Sequence, residues 1–99
     1  MITFVRRVRM LNGYFVEAMD LLKARVEYIE KTHGLKIELH SRFGGPVGEV
    51  AMVSRHENAT DLELVRKKMS ADIHSAKLLK ELAKVSIPGE TYDEIWMSL

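Results

Sequence analysis

Four histidines, His33, His40, His56 and His74, are the side chains of this 99-residue chain that can exchange a proton near neutrality without tuning. No two of them stand at the i, i+2 or i, i+4 spacing of a local metal motif, and there is no cysteine. A metal site, a thiolate zinc centre, a disulfide and a cysteine nucleophile are therefore not expected. Arg7 and Arg9 alternate along an apolar segment, so one side of an extended strand would carry both guanidinium groups. Such a pair can grip a carboxylate or an enolate at two points, or form salt bridges at an interface. Tyr92, Glu94 and Trp96 alternate in the same way near the C-terminus and could wall a pocket or anchor a protein contact.

The segment Phe43 to Glu57, FGGPVGEVAMVSRHE, is glycine-rich enough to cradle a phosphate. A phosphate loop, however, opens a helix whose free N–H groups face the anion. Here Gly48 is followed within two residues by Val50-Ala51-Met52-Val53, an apolar run suited to a strand, and the segment reads as a turn between two strands.

Alternation places a strand over Ile2 to Met10. Phe15, Ala18, Met19, Leu22, Val26 and Ile29 then recur at helical spacing after Asn12-Gly13, and Gly34 suits a left-handed cap. A strand from Leu35 to Phe43 precedes the glycine turn. Pairing Phe43 with Glu49 sets Ile37, Leu39, Phe43, Ala51 and Val53 on one face and Lys36, Glu38, His40, Met52, Ser54 and His56 on the other. Thr60-Asp61-Leu62-Glu63 fits a capping box, so a helix is expected from Thr60. Ser70-Ala71-Asp72 marks a cap or bend between two helices, with one long helix over 60–84 as the alternative, Pro88-Gly89 stops the helical region, and Tyr92 to Leu99 alternates as a last strand.

The order is β-α-β-β-α(α)-β, a ferredoxin-like α+β fold in which helices cover one face of a four-stranded antiparallel sheet. Residues 1–99 make one domain, since a chain this short encloses one core and buries roughly 65% of its unfolded surface. The uncovered face would present Val5, Arg7, Arg9, Glu38, His40, Met52, Ser54, His56, Tyr92, Glu94 and Trp96. That set is too apolar for a plain solvated surface and too polar for a dry core. Two identical chains packed sheet to sheet would enclose it as a mixed polar and aromatic cavity.

Element order, size and the segment GGPVGEVAMVSRHEN followed by a Thr-capped helix resemble the dimeric α/β-barrel superfamily, and within it NIPSNAP-like domains and antibiotic-biosynthesis-monooxygenase-like domains. Gly45, Pro46, Glu49, Val50 and Asp72 stand at the matching positions. The resemblance implies a homodimer with a pocket in each chain, between sheet and helices or inside the barrel. It spans cofactor-free oxygenases, haem-degrading enzymes, lactone isomerases and ligand sensors, so fold alone does not choose among them. No histidine here stands in an evident haem-ligand motif, and no cofactor is expected.

Fifteen Lys and Arg against fourteen Asp and Glu leave a charge of +1, unlike a general nucleic-acid binder. Arg66-Lys67-Lys68 and the lysines at 77, 80 and 84 interleave with Glu63, Asp72 and Glu81, as on a solvated helix face. No apolar run approaches the ~18 residues of a membrane span, and MITFVRRVRM carries its charges after its apolar residues, unlike a signal peptide. A cytoplasmic protein without nucleic-acid or membrane partners is expected. Its function would be to bind a small anionic or enolisable organic molecule. Were it an enzyme, His40 or His56 would abstract a proton, Arg7 or Arg9 would hold the enolate, and Tyr92 and Trp96 would form the wall beside Glu38, Met52, Ser54 and Glu94. Losing either arginine would then cost on the order of 100-fold in rate. The alternative is a non-catalytic ligand-sensing or dimerisation module in which the histidines are hydrogen-bonded at the interface.

Overall fold

The computed structural model describes residues 1–42 and 44–99. The elements run β1 (Ile2–Met10), α1 (Phe15–His33), β2 (Glu38–Ser41), β3 (Glu49–His56), α2 (Ala59–Ala71), α3 (Ile73–Ala83) and β4 (Ser86–Met97). All pairings are antiparallel and the sheet order is β2-β3-β1-β4, which puts β1 at the centre beside β3 and β4. This is the ferredoxin-like α+β arrangement expected from the element order.

The even residues of β1 face the helices. Val8 and Met10 from β1 and Val50 and Met52 from β3 pack with Ala18 and Leu22 of α1 and Leu82 of α3 in one core. Gly34 ends α1 in the left-handed conformation, φ 69°, with its N–H on the Glu30 carbonyl, which closes the orphan end of the helix. Among the described residues, no helix is long and apolar enough to cross a membrane.

The hairpin differs from the sequence expectation by one residue. Glu38 pairs with Val53, Leu39 with Met52, His40 with Ala51 and Ser41 with Val50. Arg42 continues this ladder through its N–H to the Glu49 carbonyl at 3.1 Å. The expected partner of Glu49, Phe43, lies outside the described residues. A one-residue slip moves every side chain of a strand to the opposite face. Val50, Met52, Ser54 and His56 therefore point toward the helices, while Ala51, Val53 and Arg55 lie on the open face with Glu38 and His40. β3 is apolar on both faces, so hydrophobic alternation could not choose the register. Arg55 is the residue that distinguishes the two, because the expected pairing would have put its charge under the helices, whereas here it is exposed and bonded to Glu38.

Turn geometry fixes the pairing instead. Gly44, Gly45 and Gly48 all have positive φ, and at Gly48 a Cβ would stand 3.1 Å from the Met10 carbonyl oxygen. Close docking of this turn on the end of β1, sealed by Met10 N–H to Gly48 O at 2.9 Å, demands glycine there.

Two boundaries are also corrected. The cap of α2 is Asn58, not Thr60: its side chain accepts the Asp61 N–H at 2.9 Å, and the helix starts at Ala59. Pro88-Gly89 does not end the helices. Helix α3 closes at Ala83, and Pro88 lies within β4. β4 is an edge strand, and its register to β1 shifts between Val8 and Met10, so the missing proline N–H leaves no ladder bond unmade. The anticipated break between α2 and α3 falls at Asp72, whose carboxylate accepts the Ser75 N–H at 3.0 Å and caps α3.

Candidate functional site

The sheet divides the sequence-derived residues into two groups. Arg7, Arg9, Glu38, His40, Tyr92, Glu94 and Trp96 share the open face, whereas Met52, Ser54 and His56 occupy the helix-facing side. His40 and His56 are thus separated by the sheet and cannot serve one pocket of a single chain.

On the open face the charges satisfy one another. Arg7 Nε lies 3.0 Å from Glu94 Oε1, its Nη1 reaches Glu49 Oε1 at 3.5 Å, and its guanidinium stands 5.2 Å from the centre of the Tyr92 ring. Arg42 donates to the same Glu49 oxygen at 2.8 Å. Glu49 is 6% exposed, and the Arg42 hydrogen bond, ahead of the Arg42 and Arg7 charges, holds its carboxyl below the usual range. Arg9 donates from Nε to the Val47 carbonyl at 3.2 Å. Glu38 meets His40 Nε2 at 3.1 Å and also Arg55, and these bonds, that of His40 first, lower its pKa. His40 itself is solvent-exposed. Both arginines proposed from sequence as enolate holders are already engaged by protein oxygens.

The helix-facing side encloses a cavity of about 200 Å³ between the sheet and the helices. Strand residues Phe4 and Met52, helix residues Ile29, Met69 and Leu79, and Ile37 ahead of β2 supply apolar wall. His56 lies in this wall, 6% exposed, with Nε2 2.9 Å from Ser54 Oγ. Burial pushes the imidazole below its ordinary value, partly opposed by the negative field of Asp61. A neutral imidazole beside a hydroxyl is a competent proton acceptor.

Three arginines join it, none of which the sequence reading placed in a site, Arg66 having been read there as part of a solvated helix face. Arg6 on β1 makes a two-point pair with Asp93 of β4, Nε to Oδ1 at 2.8 Å and Nη2 to Oδ2 at 3.0 Å, and that bond raises its pKa. Arg25 of α1 is half-buried, and its Nε is buried without a hydrogen-bond partner among the described residues. Burial, and then the positive charge of Arg6, push the Arg25 pKa down. Arg66 of α2 completes the set at the more exposed side. Two of these were signalled by position: Arg6 interrupts the inward series Ile2, Phe4, Val8, Met10, and Arg25 falls between Leu22 and Ile29 on the inner stripe of α1. An arginine at a core-facing position is a buried charge awaiting a partner.

Comparison with family models and with curated proteins returns no match. Among solved structures, the chain is similar to an uncharacterized NIPSNAP domain protein from Burkholderia xenovorans, with 12% identity, a TM-score of 0.85, and coverage of 100% of this chain and 95% of that one. A NIPSNAP family protein from Agrobacterium tumefaciens matches at 19% identity and TM-score 0.79 over 99% and 92% of the two chains. SnoaB, a cofactor-independent oxygenase from Streptomyces nogalater, matches at 12% identity and TM-score 0.70 over 98% and 91%. The chain shares the fold of NIPSNAP and monooxygenase-like domains, as the resemblance in its sequence implies. Identities this low establish fold and leave chemistry to the site.

Proposed function

We propose that this protein binds a small anionic or enolisable organic molecule in the cavity between sheet and helices, and acts on it without a cofactor by a reaction that begins with proton abstraction. The observation that carries this reading is the meeting in one apolar cavity of His56, whose pKa is lowered by burial, and a half-buried arginine, Arg25, with no anionic partner among the described residues. In the proposed step the imidazole of His56 takes a proton from the carbon next to a ligand carbonyl. The electron pair left behind moves onto oxygen as an enolate, whose charge is stabilised by the cavity arginines that form no ion pair among the described residues, Arg25 and Arg66. Returning the proton to a different carbon gives isomerisation, and capture of the enolate by dioxygen gives oxygenation, the reaction class named for SnoaB.

Of the two bases offered by the sequence reading, His40 and His56, this proposal keeps His56, and the oxyanion partner moves from Arg7 or Arg9 to the inner arginines. With a substrate in hand, His56→Asn should lower kcat by about 100- to 10,000-fold, the usual contribution of a general base, with KM little changed. An unchanged kcat would remove His56 as the base, whereas release of the bound ligand unaltered would leave the second reading, a non-catalytic ligand sensor, which the hydrogen bond between Ser54 and His56 favours because it already satisfies a buried imidazole nitrogen. Homodimerisation through the open sheet face belongs to the same proposal.

A further inference from the structure

Among the described residues, three buried side-chain polar atoms lack a hydrogen-bond partner: Arg7 Nε, Arg25 Nε and Ser75 Oγ. The first faces Glu94 at ion-pair distance on the open face. The other two belong to residues that line the same inner cavity. Ser75 is 1% exposed, so its hydroxyl cannot turn to bulk water, and Arg25 forms no ion pair with any carboxylate among the described residues. Native proteins seldom leave such groups unmatched, and where they do, a catalytic role or an ordered water or ion accounts for them, so two such groups on one cavity point to a polar occupant.

Charge points to the nature of that ligand. Arg6 is neutralised by Asp93, whereas Arg25 and Arg66 pair with no carboxylate among the described residues, and Arg6 repels Arg25. A planar guanidinium half-sunk in apolar wall matches a carboxylate, which accepts its forked donors at two points and leaves a lone pair for a serine hydroxyl. Apart from the polar side chains of Ser54, His56 and Ser70, the rest of the wall, Phe4, Ile29 and Met69 among it, is hydrocarbon and sulfur. A cavity of about 200 Å³ is smaller than the ~300–1,000 Å³ typical of drug-sized sites, which limits the ligand to one ring or a short chain.

Resting on the reading of the cavity as a ligand site, we infer that the ligand is a small amphipathic monocarboxylate whose carboxylate is held by Arg25 with Ser75 and whose apolar body lies against Phe4, Ile29 and Met69. Arg25 is then a ligand-binding residue that the unliganded fold would be more stable without. A half-buried, unpaired charge beside a like charge opposes folding, and its removal from an apolar site relieves that cost.

The test is an amide NMR titration of the full chain with 3-phenylpropanoate and, separately, with the neutral 3-phenylpropan-1-ol, repeated on Arg25→Met and Ser75→Ala. Expected is binding of the acid that shifts the amides of Phe4, Ile29 and Met69. The alcohol should bind at least tenfold more weakly, Arg25→Met should lower acid affinity at least tenfold, and Ser75→Ala a few-fold. In the absence of ligand Arg25→Met should raise Tm, a result that a structural role for the arginine would reverse. Equal affinity for acid and alcohol, or an Arg25→Met variant that binds the acid as tightly as the parent, overturns the carboxylate assignment and leaves the cavity a ligand site. Failure of both compounds to shift the cavity amides overturns the inference and the ligand-site reading together.

Discussion

Asp72 serves two junctions with one carboxylate. It caps α3 through the Ser75 N–H, accepts the Tyr28 hydroxyl of α1 at 2.8 and 3.0 Å, and meets His33 Nε2, at the last residue of α1, at 2.7 Å. The Ser75 backbone bond first, then His33 and Tyr28, hold its pKa at about 2 against an ordinary 3.8. A carboxyl whose folded pKa is depressed adds stability above its unfolded value and loses it as the pH falls through the folded one. The contribution of Asp72 should therefore be complete above about pH 4 and fade between pH 4 and pH 2. Asn keeps the cap while removing the charge, so Asp72→Asn isolates the effect. Denaturant midpoints for parent and variant should diverge at pH 5 and converge toward pH 2. Parallel curves across that window would show that the ionic part of this junction contributes nothing.

At the scale of elements, residues of strong local type were legible and long-range register was not. The strand of β1, the stripe and left-handed cap of α1 and the interruption at Asp72 each follow from spacing or from one residue's backbone preference, and the structure has all three. The hairpin register depends on how the glycine-rich turn ending at Gly48 lies against β1, and β3 carries apolar residues on both faces. Alternation therefore offered two answers, and the wrong one carried Met52, Ser54 and His56 to the open face. The resemblance allowed a pocket between sheet and helices, but its lining residues were not recognised for the same reason, although Arg6 and Arg25 announced it by interrupting two core-facing series. Competition between neighbouring polar residues explains the shifted cap of α2, where Asn58, among the best cap types, captures the Asp61 N–H before Thr60 can act. Asn58→Ala should accordingly cost about 1 kcal/mol in denaturant unfolding, and Thr60→Ala only a few tenths. A larger loss at Thr60 would return the cap to the capping box.

For the molecule as a whole, the helices cover one face of the sheet and leave the other with Tyr92 at 46% and Trp96 at 62% exposure. Monomers rarely leave large aromatics grouped in this way unless another surface meets them. The charges on that face argue for a second copy of the chain. Arg7, Arg9, Arg42 and Arg55 stand against Glu38, Glu49 and Glu94, all three glutamates paired within the chain, so two such faces would meet near neutrality with most of their ions already satisfied. Internal pairing limits the desolvation cost of burial, and a two-fold interface requires such self-complementarity. A stable dimer needs roughly 1,200–2,000 Å² of total buried surface, which two opposed four-stranded sheets can supply. In that arrangement Trp96 is a candidate anchor, since buried tryptophans often contribute about 2 kcal/mol or more to an interface. Trp96→Glu places an unpaired carboxylate on each side and should raise the dimer dissociation constant by about 30-fold or more. Sedimentation velocity across a concentration series reads this directly. A parent chain that remains monomeric at high concentration would remove the barrel proposal, and a Trp96→Glu variant with unchanged dimerisation would move the interface away from the open sheet face. Neither result would touch the inner cavity, which is built entirely from one chain.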